Sequence, residues 1–523
     1  MPVAPTRTRH ATGGMVCSVD HLASSAGVAM LRAGGNAADA AIATSAVLAV
    51  TTQHMCGLGG DLFALVHRPG GGVPGALAAV GRAGAGASAA ALRAEGHRVV
   101  PLRGDVRAAT VPGCIDGWLA LHERDARLPL AALLAPALGY ARHGFPAAPL
   151  LVQAAAAVAD VDGADDYRPP GGLAVGRLVR RPAVAETLES VVDEGRDGFY
   201  GGAFGAGLLE LGAGLFSEDD LAAPLARWVE PLGVRAWGHD VWTVPPPSQG
   251  YLALAGAWMA DGLDLPDDPA EPAWAHLLAE VARWAAHDRP EVLHEGADGA
   301  ALLAADRLAP RRAAVDPDRC TAPAVGTEDG GTIYLCAADG EGRAVSLIQS
   351  NAAGWGCHLV VPGTGVFLHN RGLGFSLDDG HPAELAPGRR PPHTLSPALV
   401  TGADGSLAHV VGTMGGDMQP QVVLQLLARL LHHGRSPGAA VSAPRWVLGT
   451  GGFETWTAAG NDHVSLEAGA PGAWAAGLEA RGHRVRSMPP GANVGHAHVI
   501  SRRDGVLAGA ADPRALTGAA IGL

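Results

Sequence analysis

The feature of this sequence best able to carry chemistry is a threonine in an uncommon place. Thr332 follows two glycines, Gly330 and Gly331, and opens an apolar run over 332–338. A turn at 339–342 leads into a second run over 344–350, and two such runs around a glycine-bearing turn predict a β-hairpin. If the Gly331–Thr332 bond is cut, Thr332 becomes a new N-terminus. Its hydroxyl is then a nucleophile and its own α-amine can serve as the base. The plain alternative is a β-branched residue that opens a strand. A site of this kind needs no histidine, lysine or metal. The chain has no lysine anywhere, which excludes a phosphate-loop lysine, a Schiff-base lysine and the kinase strand lysine.

A second candidate is the glycine loop Gly412-Thr413-Met414-Gly415-Gly416, between an apolar run at 409–412 and a helix expected over about 421–432. Backbone N–H groups at a helix start carry partial positive charge and suit a developing oxyanion. The alternative is an ordinary tight turn. The spacing is not G-x-G-x-x-G and no acid follows for a ribose, so a nucleotide-dependent oxidoreductase is disfavoured. Gly434-Arg435-Ser436-Pro437-Gly438 spells G-x-S-x-G, but it follows a helix where a nucleophile elbow needs a strand. The pairs His432-His433 and His496-Ala497-His498 lack further ligands at metal spacing and are expected as surface histidines. Six dispersed cysteines form no C-x-x-C pair, hence neither zinc knuckle nor dithiol motif. No cofactor and no metal is expected.

The elements that must hold these groups are legible in outline. Asp20 is placed to cap a helix to about 32, stopped by Gly34-Gly35, and Asn36 to cap another over 37 to about 50. The loop 54–61 feeds a strand at 62–66, and a second at 76–80 ends in Gly81-Arg82. Helices are expected over 118–125, 130–143 and 274–287, with a helical, looped stretch over 150–245 and a loop over 316–331. The chain has 523 residues, of which 48% are hydrophobic and 17% charged, enough for a sizeable core and too apolar for disorder. Its net charge of -13 makes a nucleic-acid or anionic-membrane partner a poor expectation. No uninterrupted apolar run reaches membrane-spanning length and the start lacks a signal-peptide core, so the expected location is cytoplasmic.

Several stretches, in order and spacing, resemble the γ-glutamyltranspeptidase family of N-terminal-nucleophile (Ntn) hydrolases over nearly the whole length. They are 54–61 (HMCGLGGD), 110–113 with Gly117-Trp118, 331–334 with its hairpin, 390–397 (RPPHTLSP), 414–417 (MGGD) and 511–514 (ADPR). The resemblance implies an α/β (α+β) fold, a four-layer αββα sandwich formed by two subunits of one precursor. These would be residues 1–331 and 332–523, a heterodimer after autocatalytic cleavage, with a dimer of such pairs as a further expectation. By position, Thr332 matches the nucleophile, Ser350 the hydroxyl that assists it, Gly415 and Gly416 the oxyanion-hole pair, and Arg82 the arginine that grips the substrate's α-carboxylate.

The departures shape the substrate expectation. Transpeptidases place Gln and Asp, which receive the substrate's α-amino group, where this chain has Arg371 and Gly374. They place a Ser-Ser pair where it has His393-Thr394, and an asparagine where it has Ala352, although Asn351 is adjacent. Trp355 and Cys357 replace smaller residues and are expected to narrow the site. The leading expectation is a self-processing amidohydrolase of the γ-glutamyltransferase or glutathione hydrolase type, acting on a small carboxylate-bearing amide. An oxamate- or glutaryl-type amidohydrolase and an uncleaved binding homologue stand as alternatives.

Overall fold

The computed structural model of the chain describes residues 6–323, 331–449 and 463–523. Part of the loop expected ahead of Thr332 lies outside them. The expected hairpin is the centre of the molecule. Strand Gly331–Asp339 pairs antiparallel with Ala344–Ala352, with Ile333 opposite Gln349 and Ala338 opposite Ala344. The register shifts between Gly331 and Ile333, so Thr332 sits at an irregularity that re-aims its side chain.

Long-range pairing extends the hairpin into a seven-stranded sheet. Gly14–Ser18 lies on one side and Asp61–His67, Gly75–Ala79 and Ala226–Val229 on the other, with Ala519–Gly522 at the far edge. Ser350 pairs with Asp61, and Leu62 with Ala79. Thr332, Ser350, Asp61 and the Gly81-Arg82 turn therefore line up along one end of the sheet. A second seven-stranded sheet is built from Arg9–Ala11, Val506–Ala511, Ala497–Arg503, Leu407–Thr413, Ala398–Thr401, His239–Thr243 and Leu232–Ala236.

Side-chain alternation shows how the layers stack. Met15, Cys17, Phe63, Leu65, Tyr334 and Cys336 point between the sheets, where they meet Leu399, Val410 and Ile500. Their neighbours Val16, Leu62, Ala64, Ile333 and Leu335 point the other way, onto helices including Ala37–Thr51 and Cys114–Asp125. Val241, Val400, Val411 and Val499 of the second sheet likewise face Tyr251–Asp261, Pro272–Ala286 and Gln419–Leu427. The result is the four-layer αββα sandwich of the Ntn hydrolases.

Both expected caps form. Asp20 accepts the Leu22 N–H at 2.9 Å, and Asn36 and Asp39 make a reciprocal capping box. The stretch 150–245 is less helical than its sequence suggests. It ends in the strands Ala226–Val229, Leu232–Ala236 and His239–Thr243, short period-two runs too brief to announce themselves, and supplies an edge to each sheet. The helix after Gly416 starts at Gln419, earlier than expected, and passes into a wider π-type turn over Ala428–His432. Ser436 caps the helix Pro437–Ser442 and has no elbow geometry. No helix among the described residues is long and apolar enough to cross a membrane.

Candidate active site

At the irregular start of its strand, the Thr332 hydroxyl lies 2.9 Å from that of Ser350. Ser350 Oγ donates to the Gly331 carbonyl at 2.8 Å, the carbonyl of the bond that precedes Thr332. Ser350 has one proton, so with that bond made the Thr332 hydroxyl is the donor in the 2.9 Å side-chain pair. Both hydroxyls are buried. The next turn of chain is strained. Ala352, Trp355 and His358 have φ of 72, 62 and 59°, left-handed values that cost a non-glycine residue about 1 kcal/mol or more. The Ala352 N–H is drawn to Ser350 Oγ at 2.8 Å.

Arg371 turns inward to this centre. Its guanidinium donates from Nη2 to Ser350 Oγ at 3.1 Å and from Nη1 to Thr394 Oγ1 at 3.0 Å. Burial lowers it to about 10, so it is a cation at neutral pH. Among the described residues no carboxylate lies within ion-pair distance of it. His393, the other half of the replaced pair, faces elsewhere. Its ring nitrogen Nε2 stands 3.3 Å from the Asp61 carboxylate, and burial together with Arg371 lowers it to about 4.

Asp61, quoted in the sequence only as the end of a glycine motif, is the fully buried hub of this end of the sheet. Its Oδ1 accepts the N–H of Gly81 at 3.0 Å and of Gly113 at 2.9 Å. Burial works against its charge, but His369, His393 and the Gly113 N–H outweigh it and hold the carboxyl low, at about 2. The same acid thus aims the turn that carries Arg82. Asp61→Ala strands two buried N–H donors and removes negative charge beside Arg371. A loss of about 3 kcal/mol is expected, read as a lowered denaturant midpoint. Asp61→Asn keeps the acceptor and should recover most of it. An alanine variant as stable as the parent would remove the hub assignment.

Gly415 and Gly416 have φ of 130 and 54°, which only glycine takes without strain, so their backbone is open to a close approach. They join the centre through Gln249, whose amide donates to both Gly416 O at 3.0 Å and Thr394 O at 3.1 Å. Gln249 had no local signature in the sequence. Asn351 faces away, its amide donating to Gln53 O at 3.0 Å. Arg82 lies at the site's end of the sheet, half-buried, with Nη2 donating to Pro224 O at 3.3 Å. Arg390 lies close enough that the Arg227 and Arg82 charges, after burial, lower it to about 10, so this rim is cationic.

Two expectations are corrected. Trp355 is buried in an aromatic cluster, 4.7 Å from Tyr167 and 5.0 Å from Phe367 by ring centroids, and Cys357 is buried too. They pack the core beneath the loop. His496 and His498 are buried as well, because strand Ala497–Arg503 lies inside the second sheet.

Known proteins share this sequence pattern and fold over nearly the whole chain. The family model described as Gamma-glutamyltranspeptidase matches residues 23–522. An oxamate amidohydrolase proenzyme of Klebsiella pneumoniae is 36% identical over 536 residues, covering 98% of each chain. The glutathione hydrolase-like YwrD proenzyme of Bacillus subtilis is 33% identical over 98% of this chain and 99% of its own. The crystal structure of a cephalosporin acylase from Bacillus halodurans superposes with a TM-score of 0.90 at 34% identity, over 99% of this chain and 97% of that one. With the model match, the full-length relatives and the shared sandwich together, this chain belongs to the γ-glutamyltranspeptidase family of self-processing enzymes that act on amide bonds.

Proposed function

We propose that the chain cuts itself at Gly331–Thr332 and then hydrolyses small amides that carry a carboxylate and no free α-amine. The geometry around Ser350 supports the first step. Thr332 Oγ1 adds to the Gly331 carbonyl carbon while its proton passes to Ser350 Oγ and the proton of Ser350 passes on to the carbonyl oxygen. Ser350 and the Arg371 cation beside it steady the oxygen charge that develops. As the carbonyl re-forms, that proton moves to the Thr332 nitrogen, the C–N bond breaks to free the amine, and water cleaves the resulting ester to free the Gly331 carboxylate. Residues 1–331 and 332–523 then remain joined as a heterodimer. The strand that begins at Gly331 is sandwiched between Gly14–Ser18 and, through its hairpin partner, Asp61–His67, and cannot leave without opening the core. In turnover the free α-amine is the base, Thr332 Oγ1 takes the acyl group, and Gly415-Gly416 receive the oxyanion.

The single observation that carries the substrate reading is Arg371 reaching Ser350 and Thr394. A buried guanidinium, where a transpeptidase has a glutamine and where the acid matched by Gly374 is missing, repels a γ-glutamyl ammonium and favours a carboxylate. Arg82, on the cationic rim, is the partner for that carboxylate. The relatives' names, oxamate amidohydrolase and cephalosporin acylase among them, support a substrate without γ-glutamyl specificity. The test compares a glutaryl anilide with its γ-glutamyl counterpart. The glutaryl compound is expected to have a kcat/KM at least about tenfold higher, one charge repulsion's worth, and Arg371→Gln should narrow the gap. Arg82→Ala should raise KM about tenfold or more with kcat largely kept. Equal turnover of the two anilides would overturn the substrate reading and leave self-cleavage standing.

A further inference from the structure

Away from the active site, helix Pro272–Ala286 presents His276, Glu280 and Arg283 on one face, at i, i+4 and i+7. Against that face lie Cys320, from the segment ahead of Thr332, and His483, from the turn after helix Gly472–Ala480. Ligand atoms of Glu280, Cys320 and His483 all lie within 4.8 Å of one another. We propose that these three side chains form a site for a borderline-soft divalent cation, zinc by preference.

The hydrogen bonds around the cluster prepare it for a ligand. Glu280 Oε2 accepts the Thr321 N–H at 2.7 Å, the Ala322 N–H at 2.9 Å and the Thr321 hydroxyl at 3.0 Å. Its other oxygen, Oε1, is buried without a hydrogen-bond partner. The histidines form a relay whose direction follows from its end. His276 Nε2 lies 2.8 Å from the Asp316 carbonyl, which can only accept, so that nitrogen carries the proton. His276 Nδ1 is then the acceptor in its 2.7 Å bond to His483 Nε2, which must donate. His483 Nδ1 is left as a bare lone pair, and it too is buried with no hydrogen-bond partner. A histidine whose far nitrogen is held by a relay is oriented as metal-binding histidines are.

Cys320 completes a sulfur, nitrogen and oxygen donor set, which suits zinc and leaves a fourth position for water. Tetrahedral ligands on zinc stand about 3.3–3.8 Å apart, so a pair at the 4.8 Å limit closes by about 1 Å on binding. An arriving cation must displace the thiol proton; Arg283 Nη1, 3.2 Å from Sγ, helps hold the thiolate. Glu280 and Cys320 precede Thr332 and His483 follows it. If the chain is cut as proposed above, one ion is held by both pieces and pins the end of the first to the second. That bridging role rests on the cleavage reading; the site itself does not.

The test strips the purified full chain with a chelator and titrates cobalt(II). One equivalent is expected to bind with a near-ultraviolet thiolate-to-cobalt absorption and strong visible bands, both removed by zinc. Cys320→Ser should lose the near-ultraviolet band. His483→Gln should weaken binding beyond tenfold, and His276→Phe about tenfold through the relay. Unchanged tryptophan fluorescence shows that each variant has folded. The same titration on Thr332→Ala separates the two proposals, since the bands should appear whether or not the chain is cut. No thiolate band at one equivalent, or a band that survives Cys320→Ser, overturns the site.

Discussion

Thr332→Ala is expected to leave a single uncut chain with activity reduced by on the order of 10⁴-fold or more. The hydroxyl is both the group that would open the Gly331 carbonyl and the group that would take the acyl chain, and alanine supplies neither. Water has no comparable position, since Thr332 is fully buried. Thr332→Ser keeps the oxygen and loses the methyl group that restricts its rotamer. It should cut itself and turn over, more slowly on both counts. Ser350→Ala keeps the nucleophile but removes the donor to the Gly331 carbonyl at 2.8 Å, so processing should slow far more than folding changes. A denaturing gel with N-terminal sequencing of the smaller band reads all three. A smaller band beginning at Thr332 supports the assignment. A cut that persists in the alanine variant would end it.

Acid should unfold the protein between about pH 6 and pH 4. Buried histidines drive this, His393, His496, His54 and His498 among them. Burial holds His393 and His496 down to about 4, and His54 and His498 to about 3. An unfolded histidine titrates near 6.5. Between those values the unfolded chain binds protons that the folded chain refuses, so stability is full above about 6.5 and falls as pH drops. Each group lowered to about 4 contributes up to about 3 kcal/mol of that loss. Two or three such groups rival the total stability of an ordinary domain. Asp61, depressed to about 2, works in a separate window, because its stabilisation is lost only below about pH 3.9. Far-ultraviolet circular dichroism against pH should show one transition in the histidine window, and His54→Asn should shift its midpoint to lower pH. Native structure retained at pH 4 would show that these histidines reach solvent.

Thr332, its hairpin and the caps at Asp20 and Asn36 were legible because their signals are local. Each is a turn, a cap or a periodic run within a few residues, and such patterns bias the chain before it folds. The family motifs were legible for another reason: their order and spacing survive as text. The three strands between 226 and 243 escaped because each is shorter than the window in which a period can be told from chance. The tertiary structure decided everything that depends on residues far apart in the chain meeting. Asp61 is a hub only because Gly81, Gly113 and His393 converge on one carboxylate at the end of a sheet. His498 became buried only when the first sheet, through Tyr334, packed against its strand. Nothing local in the sequence says where Arg371 points. It points inward because the chain brings Ser350 and Thr394 within reach of one planar guanidinium, and side-chain direction is set by that packing, which no local pattern encodes.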